Sequence, residues 1–312
     1  MELRQLRQFL AVVDLGGFSA AAAKLGMGQP TLSHAVATLE DELGVELLSR
    51  TPRGAIVTEA GAALYPHAQK LMRMSERTAD VVHRRDERAA GRVRLGMPVS
   101  ITQMIGPRLY ERARSLYPEI TLELFEHTAH FQAIHLLNER IDLCVLAADE
   151  SMPDEIDSVA LLHERLWFVR ARGAGAELPR SVTLATVVQH PQVMTTPSTS
   201  FRAIVAREFD RAQLKPRIVA ESNSGQTILN MVADGVGATL QPYSAFARYA
   251  RLDELEYCLV EPAIHRYAKL AHSRHWPLTI ACESIRALVR ETAAHLIHSG
   301  QWRAATMSEQ LA

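Results

Sequence analysis

Apolar positions near the start of the chain recur at helical spacing. Leu3, Leu6, Phe9, Leu10 and Val13 form one stripe, and Gly16-Gly17 ends it. Ser19 to Leu25 is rich in alanine and predicts a second helix with Ser19 as its N-cap. Gly26-Met27-Gly28 makes a tight turn, and Gln29-Pro30 opens a third helix in which proline suits the first turn. There Leu32, Val36, Leu39 and Leu43 repeat at 4, 3 and 4 residues before Gly44 stops the pattern. Two short strand-like runs follow, Val45 to Leu48 and Ala55 to Val57, with Ser49 to Gly54 as a hairpin between them. Thr58 is a suitable N-cap for a long helix reaching about Ala90. Its seam of Leu64, Ala68, Leu71, Ser75, Ala79 and Val82 resembles a heptad. Some thirty helical residues span about 45 Å. Such a stripe exceeds what a small domain buries, so a partner helix from a second subunit is expected. Pro66 should bend the helix early.

From Arg92 the pattern changes to strands alternating with helices, which implies a βαβ sheet. Strands are expected at Arg92–Met97, Ile120–Glu126 and Ile141–Ala147, with helices at Ile105–Leu116 and Phe131–Asn138. A second set has strands near Leu166–Val169, Gln192–Thr195, Arg217–Ala220, Val236–Gln241 and Tyr267–His272. Its helices fall at Phe201–Ala212, Gln226–Ala233 and Pro277–His298, and the tail after Trp302 reads as loose.

The third helix changes the picture from fold to function. Its polar face carries Gln29, Thr31, Ser33, His34 and Thr38, and no acid precedes Glu40. Such a helix suits entry into a DNA major groove N-terminus first, with Pro30 in the leading turn. Arg50 and Arg53, at the tip of the hairpin, suit phosphate or minor-groove contact. The net charge of the 312-residue chain is −1, so it is no non-specific packager of DNA. Affinity must come from placed contacts and dimerisation.

Two hydroxyl-rich stretches follow strands and precede helices, where open α/β sheets bind ligands. They are Pro98 to Gln103, with Ser100, Ile101, Thr102 and Gln103, and Thr195 to Phe201, with Ser198, Thr199 and Ser200. Helix N-termini there would favour a small organic anion. His127-Thr128-Ala129 and Ser222-Asn223-Ser224 offer further lining. The three cysteines, Cys144, Cys258 and Cys282, have no metal-ligand spacing, and Cys144 reads as an inert core thiol. His265, His272 and His275 lack helical metal spacing, and no metal or cofactor is expected. No signal peptide or long apolar run is visible, so a soluble cytoplasmic protein is expected. The α/β region alone would also suit an enzyme acting on a small organic anion. It carries no Gly-x-Ser-x-Gly and no phosphate loop.

The stretch from Phe18 to Gly61 resembles the N-terminal domain of LysR-type transcriptional regulators. The shared pattern is Phe18-Ser19, Ala21-Ala22, Leu25, Gln29-Pro30, Leu32-Ser33, Leu39-Glu40, Leu43-Gly44, Leu47-Leu48, Arg50, Arg53-Gly54 and Thr58-Glu59-Ala60-Gly61. Gly28 stands where the family usually has Ser or Thr, and His34 where Arg or Gln is frequent. The resemblance implies an α plus α/β fold. A winged helix-turn-helix would occupy residues 1–58, with the motif at about 18–37. A dimerising linker helix would follow at 59–90. An effector region like periplasmic binding proteins would comprise subdomain I at 92–161 and 268–300, subdomain II at 162–267, and a tail at 301–312. Crossovers would fall near Leu161–Arg165 and His265–Tyr267, and Ser100, Thr102 and Gln103 match positions lining the family's effector site. It further implies a dimer of dimers on an interrupted palindrome, an effector that shifts its grip, and RNA polymerase as a further partner.

Overall fold

The computed structural model describes residues 1–51, 54–82, 89–127, 129–147 and 152–308. The chain divides into two compact units, Met1–Asp86 and Glu87–Ala312.

The first unit begins with α1 (Leu3–Asp14), α2 (Phe18–Leu25) and α3 (Gln29–Leu43). A hairpin of β1 (Leu48–Thr51) and β2 (Gly54–Val57) follows, then α4 (Glu59–Val82). Leu6, Phe9, Val12, Leu32, Val36 and Leu39 fill the core between the helices. The third-helix stripe loses its last member, because Leu43 is exposed, and Val12 rather than Val13 is the buried end of α1. Ser19 is not the cap of α2. Gly17 holds that position without a side-chain bond, and Ser19 lies inside the first turn.

The first wing strand starts three residues later than its apolar run suggests. The carboxylate of Glu40 accepts the amides of Leu47 and Leu48 at 2.7 and 3.0 Å, so the approach to the strand is spent on closing α3. Arg50 therefore lies within β1, paired with Ala55, and not at the hairpin tip. Pro52 and Arg53 lie outside the described residues.

Thr58 caps α4 as expected, accepting the Gly61 amide at 3.1 Å. Gly61 has no room for a side chain, because a Cβ there would lie 2.1 Å from the Leu47 carbonyl oxygen. The first half of the α4 seam needs no second subunit. Leu64, Ala68 and Leu71, with Met72, pack on the unit's own core, and Tyr65 donates to Asp14 at 2.5 Å. The helix is described to Val82, and the side chains of Ala79 and Val82 lie outside the described set.

The second unit opens with β3 (Gly91–Met97), α5 (Val99–Leu116), β4 (Ile120–Glu126), α6 (Ala129–Leu137) and β5 (Leu143–Ala147). The 16-residue β6 (Ile156–Ala171) leads to β7 (Ser181–Thr183), α7 (Leu184–Val187), β8 (Gln192–Thr195) and α8 (Ser200–Arg211). Then come β9 (Ile218–Ser222), α9 (Gly225–Ala233), β10 (Thr239–Pro242) and α10 (Tyr243–Phe246). A 3-10 turn (Leu252–Glu254), β11 (Leu255–Glu261), β12 (His265–Ser273), α11 (Ile280–His298) and β13 (Ala305–Met307) complete it. The main sheet has the order β4-β3-β5-β12-β6-β11-β7, with β10 and β13 also on β6, while β8 and β9 pair in parallel.

The long β6 serves two sets of partners. Its Ile156–Arg165 portion pairs with β12, and Leu166–Ala171 pairs with β10 and β11. The two sets thus share one strand at Arg165-Leu166, with β12 entering beside that point.

Several boundaries differ from the apolar pattern. α5 starts at Val99 and not at Ile105, because the Pro98 carbonyl accepts the amides of both Ile101 and Thr102 at 2.9 Å. Ser100 to Gln103 are therefore helical. α11 starts at Ile280, capped by Thr279, and not at Pro277. The tail after Trp302 is not loose where it is described. Trp302 is 1% exposed, and β13 pairs with Leu162–Glu164 of β6.

Candidate functional site

The exposed N-terminal turns of α3 form the first candidate surface. Leu32, Val36 and Leu39 turn inward, which leaves Gln29, Pro30, Thr31 and His34 exposed and Ser33 half-buried. The helix has no side-chain cap, because Gly28 occupies that position. Ser19 of α2 donates to the Gln29 side-chain oxygen at 3.1 Å and so ties the two helices at this end. Thr38 is occupied by its own helix, donating to the His34 carbonyl at 2.9 Å. The acids behind this surface have structural work. Glu40 holds the wing, and Glu42 accepts from Gln5 at 3.3 Å. Arg53 lies outside the described residues, and so does the side chain of Arg50.

The second candidate surface is the first turn of α5. The structure spreads the residues predicted there over different roles. Ser100 accepts a hydrogen bond from Arg266 at 3.0 Å, and Thr102 is buried and donates to the Pro98 carbonyl at 3.2 Å. Ile101 is 2% exposed and belongs to the core, whereas Gln103 is exposed. Thr128 lies outside the described residues.

The turn before α8 is built from its own hydroxyls. Thr199 caps α8 by accepting the Arg202 amide at 3.2 Å, and Ser198 and Thr196 share a hydrogen bond of 3.1 Å. Ser200 opens the helix. Arg202 donates to the Thr195 carbonyl at 2.9 Å and to Glu221 at 2.7 Å.

Two charged residues that the sequence reading passed over lie at the centre of the unit. Glu164 is fully buried on β6, and the Arg266 guanidinium meets its carboxylate from β12. A signal for them existed. Arg266 falls in phase with Ala268 and Leu270, and Glu164 with Leu162, Leu166 and Phe168, so each charge occupies a buried position of its strand. Charges in that phase require partners.

Other titratable groups are less suggestive. Burial pushes the Cys144 thiol well above its ordinary range, as an inert thiol requires. His265 is held below its ordinary value by burial, with His163 and Arg165 adding to it. His163, His265 and Tyr267 cluster, the two imidazoles 5.2 Å apart. Among the described residues no three His, Cys, Asp or Glu side chains come close enough to hold a metal ion. No helix of the described residues is long and apolar enough to cross a membrane.

Comparison with known proteins gives both regions a context. The profile described as "Bacterial regulatory helix-turn-helix protein, lysR family" matches residues 3–62, and that of the "LysR substrate binding domain" matches 86–294. The nitrogen assimilation regulatory protein Nac of Escherichia coli K12 is 32% identical over 78% of this chain and 79% of its own length. The regulator BenM of Acinetobacter baylyi is 30% identical over 78% of this chain and 81% of its own. Among solved structures, CbnR complexed with its target DNA superposes with a TM-score of 0.72 at 22% identity, covering 94% of this chain and all of that one. Full-length BenM gives 0.58 at 28% identity, over 95% and 97%. The matches are to regulators, and the alternative of an enzyme draws no support from them.

Proposed function

The chain belongs to the LysR-type transcriptional regulators, and from that premise we propose how it reads DNA and what it answers to. The first turns of α3 enter the major groove, with Gln29, Pro30, Thr31, Ser33 and His34 facing base edges and backbone. Arg50 and Arg53 of the wing contact phosphate. The observation that carries this reading is the split of α3, whose apolar stripe is filled while its leading polar residues stay exposed. The absence of acid before Glu40 supports the same orientation.

The effector is a small organic anion, and its contacts come from Ser100, Thr102, Gln103, Thr128, Ser198, Thr199 and Ser200. Ile101 supplies the packing beneath. Two helix starts rich in hydroxyls support an anionic ligand. The ligand acts by binding one arrangement of the effector region better than another. The α4 helix pairs with that of a second subunit through the part of its seam beyond Met72, and two dimers grip an interrupted palindrome and meet RNA polymerase. The domain limits follow the same scheme: residues 1–58 bind DNA, 59–90 join subunits, and two subdomains divide near Leu161 and Tyr267.

Substituting Ser33→Ala and Arg53→Ala tests the groove assignment. Each should weaken operator binding by about 1–3 kcal/mol, and Arg53→Ala should also reduce the salt dependence. Operator affinity unchanged in both variants would remove the assignment.

A further inference from the structure

Gln8 of α1 is a polar residue at a core position. It is 5% exposed and stands in the chain between Leu6 and Phe9, which fill the core of the first unit. Its side-chain nitrogen donates to the sulfur of Met27 at 3.6 Å. Met27 is half-buried against the same core and is the one side chain in the Gly26-Met27-Gly28 turn. Gly26 ends α2 in left-handed conformation, and Gly28 opens α3 without a side-chain cap. The Met27 amide bonds the Ala22 carbonyl at 3.1 Å. The Met27 side chain is therefore what seats this turn on α1, two residues before α3 begins.

A thioether is a weak acceptor, and a buried amide ordinarily finds oxygen. A sulfoxide supplies that oxygen. In most cores the change from thioether to sulfoxide is disruptive, because it buries a polar group without a partner. At Met27 the partner is already in place. Met72, Met97, Met104 and Met194 are 8% exposed or less and are shielded from solutes. Met152, Met231 and Met307 are half-buried like Met27. What sets Met27 apart is the buried donor on its sulfur. An oxygen between sulfur and nitrogen also needs more room than the present contact provides, so the turn must move outward from α1.

Resting on the reading of α3 as the helix that meets DNA, we propose that Met27 is a reversible oxidation site that weakens operator binding. A peroxide transfers one oxygen atom to the sulfur. The S–O bond forms, the O–O bond breaks, the sulfur loses two electrons and the peroxide leaves as water. Gln8 is the positioning residue that holds the sulfoxide oxygen inside the fold. The displaced turn carries the leading residues of α3 out of register with the groove. A thiol-dependent sulfoxide reductase reverses the change, removing the oxygen as water while two thiols become a disulfide.

The test treats the full-length protein with hydrogen peroxide and locates oxygen gain by mass spectrometry of its peptides. Met27 should gain one oxygen while the buried Met97 and Met104 gain none. Each variant is then compared with its own untreated state. In the parent, operator affinity in a gel shift should fall about tenfold on treatment. It should return after incubation with methionine sulfoxide reductase and dithiothreitol. Met27→Leu, close in volume and without sulfur, should lose no affinity on the same treatment, which also controls for the other methionines. In Gln8→Leu the sulfoxide oxygen has no donor, so treatment should lower the melting temperature by about 5 °C more than in the parent. A merely structural role for Gln8 would lower the treated and untreated forms alike. No oxygen on Met27, an equal loss of affinity in Met27→Leu, or the same treatment-induced fall in melting temperature in the parent and Gln8→Leu would overturn the proposal. The peptide and melting readouts involve no DNA. Absence of any operator complex in the untreated protein would strike the regulator reading instead, and leave those two readouts to decide the oxidation site.

Discussion

Glu40→Ala isolates the contact that joins α3 to the wing. The carboxylate holds two partly buried amides, Leu47 at 2.7 Å and Leu48 at 3.0 Å, and alanine leaves both without a protein acceptor. An unsatisfied buried donor costs about 1–3 kcal/mol, and partial exposure lets water recover some of that. We take about 1 kcal/mol for each amide, giving about 2 kcal/mol for the unit. For a domain of this size that corresponds to about 10 °C in melting temperature. Glu40→Gln retains an acceptor oxygen but loses the charge assistance and should fall about halfway. Hydrogen exchange read at the Leu47 and Leu48 amides is the direct assay, because it reports the contact itself and not only global stability. If α3 reads the operator as proposed, operator affinity should fall with it, since the wing would no longer be fixed relative to α3. Unchanged protection of both amides in Glu40→Ala, with an unchanged melting temperature, would refute the assignment of Glu40 as the tie.

Further outcomes follow from the same geometry. Gly61→Ala would place a Cβ 2.1 Å from the Leu47 carbonyl, and denaturant unfolding should show a loss of about 1–3 kcal/mol. The raised thiol of the buried Cys144 should resist alkylation in the native protein and react only after denaturation, as mass spectrometry of labelled peptides would show. The depressed His265 value means that the unfolded chain binds this proton more readily than the folded one. Stability should therefore be complete above about 6.5, the ordinary histidine value, and decline as pH falls through it. His265→Gln should reduce, not abolish, the dependence of melting temperature on pH in that window, since burial lowers His135, His190 and His272 as well. Thr102→Val removes a hydroxyl that bonds the Pro98 carbonyl, and it should abolish the effector response in a gel shift while leaving operator binding intact.

Much of the first unit was legible because its signals are local. The glycines at 26 and 44 terminate helices in left-handed conformation, and Leu32, Val36 and Leu39 announce the buried face of α3. The wing was displaced because a side chain seven residues away, Glu40, competes for the amides of the apparent strand. Periodicity carries no trace of such a contact. In the second unit the strand and helix alternation was plain, but the length of β6 was not. Its change of partners at Leu166 depends on β10 and β12, which are distant in sequence. The tail was misread for a similar reason, since Trp302 is ordered by Glu164, 138 residues earlier. Of the candidate site, the hydroxyls of α5 were visible as composition. The pair that organises them was visible only as two charges in buried strand phase, and charge alone reads as surface.

The central claim is that α3 reads a specific operator. The most direct test is a gel shift of the full-length protein on the DNA upstream of its own reading frame, at two salt concentrations and against excess random DNA. The account predicts a discrete complex that survives the competitor, weakens moderately with salt, and forms with lower affinity in Ser33→Ala. A complex that random DNA displaces as readily as the upstream fragment, with Ser33→Ala indistinguishable from the parent, would contradict it.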